Sequence, residues 1–176
     1  MVDFVDKSLE EKLRDIKNRV LSLESFLANY RRENKYSPVI GEGSHQAKIV
    51  FIGEAPGKNE ALTGHPFCGS AGKILDSLLE SINLERSEVY ITNILKDRPP
   101  SNRDPLPEEI EVYSPFLLEQ LFLIKPKIIA TLGRYSAHFV LNHFDIPEAL
   151  NPISSLHGRI LSCLLYTSDA ADEEDS

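Results

Sequence analysis

The chain contains only two cysteines in 176 residues, Cys68 and Cys163. They stand far apart and without the short spacings of metal ligands, so neither a disulfide framework nor a zinc or iron–sulfur centre is indicated. Long apolar runs are missing too. No stretch reaches the length needed to span a bilayer, and no charged-then-apolar segment opens the chain. A cytoplasmic protein with no membrane partner is therefore expected. Bases are scarce relative to acids: 19 Lys and Arg against 27 Asp and Glu give a net charge of −8. That balance argues against a simple polyanion binder, because phosphate contacts need Lys and Arg. The acid is unevenly placed, however. Residues 163–176 hold Asp169, Asp172, Glu173, Glu174 and Asp175 and no base, which leaves −3 for the other 162 residues. The remaining composition, 41% hydrophobic and 26% charged, is that of an ordinary globular chain, and the length suits one core.

Hydrophobic periodicity organises what is present. Residues 8–31 read as one amphipathic helix: Ser8 and Glu11 have capping-box spacing, and Leu9, Leu13, Ile16, Val20, Leu23, Leu27 and Tyr30 form a 3.5-residue seam. Three heptads without a clear charge pattern at their flanks favour a helix laid on its own core over a coiled-coil contact, so a monomer is expected. Residues 32–46 are polar, with two glycines and a proline, and predict a loop. An apolar strand follows over residues 47–52. Helical spacing returns at Ile74, Leu75, Leu78, Leu79 and Ile82, with Ser70 as a cap. Residues 89–92 predict a second strand ending at Asn93, and three prolines keep residues 96–105 out of a helix. Pro107 opens the next helix, whose face includes Ile110, Phe116, Leu117, Leu121 and Phe122. A third strand over residues 128–132 ends at Gly133-Arg134, with a helix after it. Alternating strands and helices imply an α/β fold with a parallel sheet and right-handed crossovers.

All three strands end in something polar or glycyl, where ligands of such sheets collect. Gly53-Glu54-Ala55-Pro56-Gly57 closes the first strand, and Gly64-His65-Pro66-Phe67-Cys68-Gly69 leads into the next helix. Glu54 can orient a water or stabilise a developing cation. The Asn93 amide carries both a donor and an acceptor, the pair needed to read the edge of a uracil or thymine ring. Phe67 offers a stacking face. With Lys96, Arg98 and Arg103 in a proline-stiffened loop, these parts suit a flipped-out base whose phosphates are held outside. Each part alone has an ordinary reading: a capping carboxylate, a turn amide, a core aromatic, a solvated basic loop. Residues 53–57 lack both the Lys-Ser/Thr ending of a phosphate loop and GxGxxG spacing.

Taken together and in order, Glu54 in Gly-Glu-Ala-Pro-Gly, Pro66-Phe67 with Gly69 and Ala71-Gly72, Tyr90-Ile91-Thr92-Asn93, Lys96 with Arg98-Pro99-Pro100, Asn102-Arg103 and Leu132-Gly133-Arg134 resemble the family 4 uracil-DNA glycosylases. The resemblance runs from about Val39 to Leu141 and on to His157-Gly158-Arg159. It implies a three-layer α/β/α sandwich around a mainly parallel sheet. It also implies hydrolysis of the N-glycosidic bond of deoxyuridine in DNA, leaving an abasic site. Carried over, Glu54 places or activates the water, with Glu60 a further carboxylate. Phe67, Asn93, Gly53 and Ala55 form the uracil site, and Lys96, Arg98, Arg103, Gly133 and Arg134 face DNA. A superfamily member that grips uracil-containing or single-stranded DNA without cleaving it is the alternative.

This sequence departs from the family pattern in two respects. The family carries a four-iron four-sulfur cluster on four cysteines. Here Asp97 and Tyr113 stand at two of the expected positions and no cysteine precedes Cys68. No cofactor is therefore expected, and side-chain packing around Tyr113 is expected to hold residues 96–116 instead. The family's C-terminal His-Pro-(Ser/Ala) motif does not follow His157. Residues 163–173 resemble a translated sequencing adapter, so the expectation is a glycosylase-like domain over residues 37–162, preceded by a helical segment over residues 1–36, clipped near its end and followed by an acidic artefact.

Overall fold

The computed structural model describes residues 7–163; most of the suspected adapter sequence lies outside them. The chain divides into two compact units, Met1–Leu132 and Gly133–Ser176. The first holds a four-stranded sheet in the order β1-β3-β2-β4, formed by β1 (Glu42–Gly43), β2 (Ile49–Gly53), β3 (Tyr90–Asn93) and β4 (Ile128–Thr131). β2 runs parallel to both β3 and β4, and β1 pairs antiparallel with β3. The short β1 falls within the predicted loop, because two residues of glycine-flanked strand leave no periodic signal. Strands of four or five residues, with β3 buried throughout, are what a sheet covered on both faces requires.

Side-chain alternation assigns the layers. Phe51 and Ile91 are register partners, and they pack with Ile49, Leu75 and Leu79, so α4 (Ser70–Ser81) covers that face. The opposite face carries Tyr90 and Thr92, which reach Gln120 of α5 (Pro107–Ile124). α1 (Leu9–Leu21) joins α5 through Arg19, which pairs with Glu119 at 2.5 Å and lies over the Phe116 ring. The mixed α/β architecture agrees with the sandwich expected. No described helix is long and apolar enough to cross a membrane.

The N-terminal seam is broken rather than continuous. α1 ends at Leu21 and α2 (Phe26–Glu33) begins a new helix, capped by Ser25, whose hydroxyl accepts the Ala28 N–H at 3.2 Å. The cause is local competition by serine oxygens together with Arg31, which donates to the carbonyls of Val20 and Leu21 at the end of α1. A six-residue helix, α3 (Lys58–Thr63), also forms within the glycine-rich stretch. In the second unit, α6 (Arg134–His143) follows Gly133, and α7 (Ile153–Leu156) precedes His157.

Candidate active site

The site begins where parallel pairing outlasts the strands. Gly53 is the register partner of Asn93. Beyond them the Ile94 N–H donates to the Gly53 carbonyl at 3.0 Å and the Leu95 N–H to the Glu54 carbonyl at 3.1 Å. On the other side of β2, the Leu132 N–H reaches the Ile52 carbonyl at 2.8 Å. Glu54 is thereby held at the carboxyl end of the sheet beside Asn93, and Ala55, next in the chain, is partly buried.

Glycine at position 53 brings two side chains together. A Cβ there would lie 2.5 Å from Cζ of Phe67 and inside contact distance of Asn93 Oδ1, so the aromatic edge and the amide converge over a surface with no side chain of its own. Asn93 is 2% exposed. Among the described residues, no hydrogen bond engages its side-chain amide. Phe67 is half-buried and has φ of 49°, a left-handed conformation that is costly for an aromatic residue. Three contacts hold it there. Gly72 leaves room for the Phe67 carbonyl, which any Cβ would strike. Arg86 donates to the carbonyl of Pro66 while pairing with Asp76 at 2.7 Å. Glu60 accepts the Gly69 N–H at 3.2 Å, and its other oxygen lies 2.7 Å from where a Gly57 Cβ would stand. Glu60 thus anchors the end of the loop that follows Phe67, with Gly57 leaving room for its carboxylate.

One of the residues expected to face DNA lies elsewhere. Lys96 has no exposed surface. Its ammonium donates to Gln120 Oε1 at 2.6 Å, Thr92 Oγ1 at 2.7 Å and the Asn93 carbonyl at 2.8 Å, beneath the base-reading residue and out of reach of a phosphate. Burial pushes its pKa well below the ordinary lysine value, although three acceptors match the three donors of the charged form. Gln120 extends the network to the Ile40 carbonyl and the Tyr90 hydroxyl, whose pKa burial raises to about 12. Arg103 is partly exposed and places both terminal guanidinium nitrogens on Glu109, at 2.6 and 2.9 Å, so it clips the loop to α5. Lys96 is withdrawn from the loop surface by acceptors in β3 and α5. Arg98 is partly exposed; it bonds Asn102 and Tyr36 and stacks over the Tyr36 ring. In the second unit, Gly133 has φ of 101° and precedes α6, and Arg134 is exposed against Tyr135.

Arg86, Gln120 and Arg31 were not singled out from the sequence. Their partners stand 10 to 80 positions away, and no local pattern marks them.

Comparison with known proteins gives the family. The family described as "Uracil DNA glycosylase superfamily" matches residues 40–170. The chain is 46% identical over 150 residues to a type-4 uracil-DNA glycosylase of Archaeoglobus fulgidus, covering 85% of this chain and 73% of that protein. It is 43% identical to one of Sulfurisphaera tokodaii, covering 85% and 66%. To one of Thermotoga maritima it is 41% identical, covering 72% and 67%. The chain spans about two thirds to three quarters of the length of these relatives. By the family match and these identities, it belongs to the uracil DNA glycosylase superfamily.

Proposed function

We infer that this protein is a DNA glycosylase that removes uracil from DNA by hydrolysing the N-glycosidic bond, and that its substrate is a deoxyuridine flipped out of the stack. The observation that carries this reading is the convergence of the Phe67 ring and the unengaged Asn93 amide over Gly53. A uracil seated there would stack on Phe67, and Asn93 would donate to a ring carbonyl and accept from the ring N–H. Thymine carries a methyl where uracil carries hydrogen, and a closely walled site discriminates against it by steric exclusion.

Cleavage of this bond develops positive charge on the sugar and negative charge on the departing base. Catalysis then comes from groups arranged around those charges more than from a strong nucleophile. Glu54, at the end of β2, offsets the sugar charge and orients the attacking water. Glu60 acts through the loop that presents Phe67, and Lys96 through the strand end that presents Asn93. Arg98 and, at the start of α6, the backbone after Gly133 with Arg134 are suited to phosphates. In this proposal residues 37–162 are the glycosylase-like domain, with residues 1–36 as its helical lead-in and residues 163–176 as an appended tail. The protein works without a cofactor, as a cytoplasmic monomer.

The test is single-turnover incubation with a labelled oligonucleotide bearing one uracil, followed by alkaline cleavage at abasic sites. Strand scission with uracil and none with thymine is expected, together with loss of uracil preference in Asn93→Ala. Retention of uracil DNA without scission would make the protein a binding module, and preferential excision of hypoxanthine would assign it another base.

A further inference from the structure

The two positions where the family resemblance expects cluster cysteines, Asp97 and Tyr113, are 1% exposed and bonded to each other: the Tyr113 hydroxyl donates to Asp97 Oδ2 at 2.6 Å. Arg31 of α2, 3% exposed, places Nη1 at 2.9 and 3.0 Å from the two Asp97 oxygens. The same guanidinium donates to the carbonyls of Val20 and Leu21 that end α1, at 3.0 to 3.2 Å. The Ser25 hydroxyl, in the turn between α1 and α2, lies 3.3 Å from the Tyr113 hydroxyl. One network therefore joins α1, α2, the loop after β3 and α5. Within this network no buried side-chain nitrogen or oxygen lacks a partner.

These residues do not fit an iron–sulfur cluster. Such clusters are held by cysteine thiolates, whereas this position offers a carboxylate, a phenol and a guanidinium already satisfied by one another. Cys68 is exposed in the loop before α4, and Cys163 belongs to the other unit. Among the described residues no group of three or more His, Cys, Asp or Glu side chains could hold a metal.

We propose that the Arg31–Asp97–Tyr113 network is the metal-free replacement of the family's cluster, fastening the N-terminal helices to the segment that carries Asn93. The sequence led to an expectation of side-chain packing around Tyr113; the structure has a buried ion pair with a phenol on it. Burial raises the Asp97 pKa against the opposing hydrogen bond from Tyr113 and the Arg31 charge, and burial and the neighbouring carboxylate raise that of Tyr113. The arrangement predicts all-or-none behaviour. Removing one charge strands the other in the interior, whereas removing both leaves no orphan. The inference rests on family membership and not on the catalytic reading, so an inactive protein would leave it standing.

The test uses the full chain. Purified protein is assayed for iron and acid-labile sulfide, and its urea midpoint is measured with and without EDTA. No iron, no sulfide and an unmoved midpoint are expected; a stoichiometric cluster would overturn the proposal. A double-mutant cycle then compares Arg31→Met, Asp97→Asn and the pair. Each single change is expected to lower the folding equilibrium constant roughly a hundredfold or more. The double variant is expected to lose at least about tenfold less than the product of the two, and independent losses would refute the coupling. Should the single variants fail to fold, Tyr113→Phe removes one hydroxyl and keeps the charges. A lowered midpoint is expected, and an unchanged one overturns the role given to Tyr113.

Discussion

Replacing Gly53 by alanine adds one methyl group at the point where the two base-reading side chains meet. Its Cβ would stand 2.5 Å from Cζ of Phe67, whereas carbon atoms settle at about 3.5–4.0 Å. The ring must therefore retreat by about 1 Å, and Asn93 Oδ1, nearer still, must turn away. Misplacement of that size costs on the order of 100-fold in rate, equivalent to about 2.7 kcal/mol of barrier. Stability should change less. Crowding costs about 1–3 kcal/mol, partly offset by the roughly 0.5–1 kcal/mol that alanine gains over glycine in the unfolded chain. The assay is single-turnover excision of uracil from a labelled oligonucleotide, with a urea unfolding curve on the same preparation to separate loss of site from loss of fold. A Gly53→Ala protein that excises at the wild-type rate would refute the claim that Phe67 and Asn93 meet over this residue to form the uracil site.

Phe67→Ala should weaken binding of uracil DNA by about 1–3 kcal/mol through lost stacking, measured by fluorescence anisotropy; unchanged affinity would return Phe67 to a purely structural role. Lys96 gives a pH signature. Its native pKa is depressed below the ordinary 10.5, so between the native value and 10.5 the unfolded chain binds more protons and stability rises with pH. Wild type should gain stability relative to Lys96→Met as pH climbs towards 10.5, and a flat difference would contradict the burial of its charge. Glu109 has the opposite dependence. Burial raises its pKa, but Arg103 and the Leu106 N–H outweigh that and hold it below 4.5. Its contribution is full above 4.5 and fades as pH falls through the lowered native value. The stability gap between wild type and Glu109→Gln should close on acidification, and urea titrations across that range would detect its failure to do so.

The pattern of apolar runs determined much by itself. Each of the three parallel strands is a short run rich in β-branched residues stopped by a polar or glycyl residue, and that alone placed Glu54 and Asn93 at the sheet's carboxyl end, since strand ends follow from where apolar side chains cease. Ordered motifs then carried the family. The sequence also marked Phe67 as a stacking residue, although only the tertiary structure shows its setting: Gly72, Arg86 and Glu60 hold it in a left-handed conformation, with its ring over Gly53. Charged residues were the least legible. Lys96 and Arg103 look alike in a basic, proline-rich loop, yet one is buried under Asn93 on Gln120 and the other is clipped to Glu109. Arg31, at a position that reads as the polar end of a helix, finds Asp97 across 66 residues and breaks the N-terminal helix in two by claiming its last carbonyls. Local propensity and periodicity report which faces seek burial. They do not report which acceptor a long cationic side chain reaches, because that depends on the packing of elements distant in sequence and on the cost of leaving either partner unpaired.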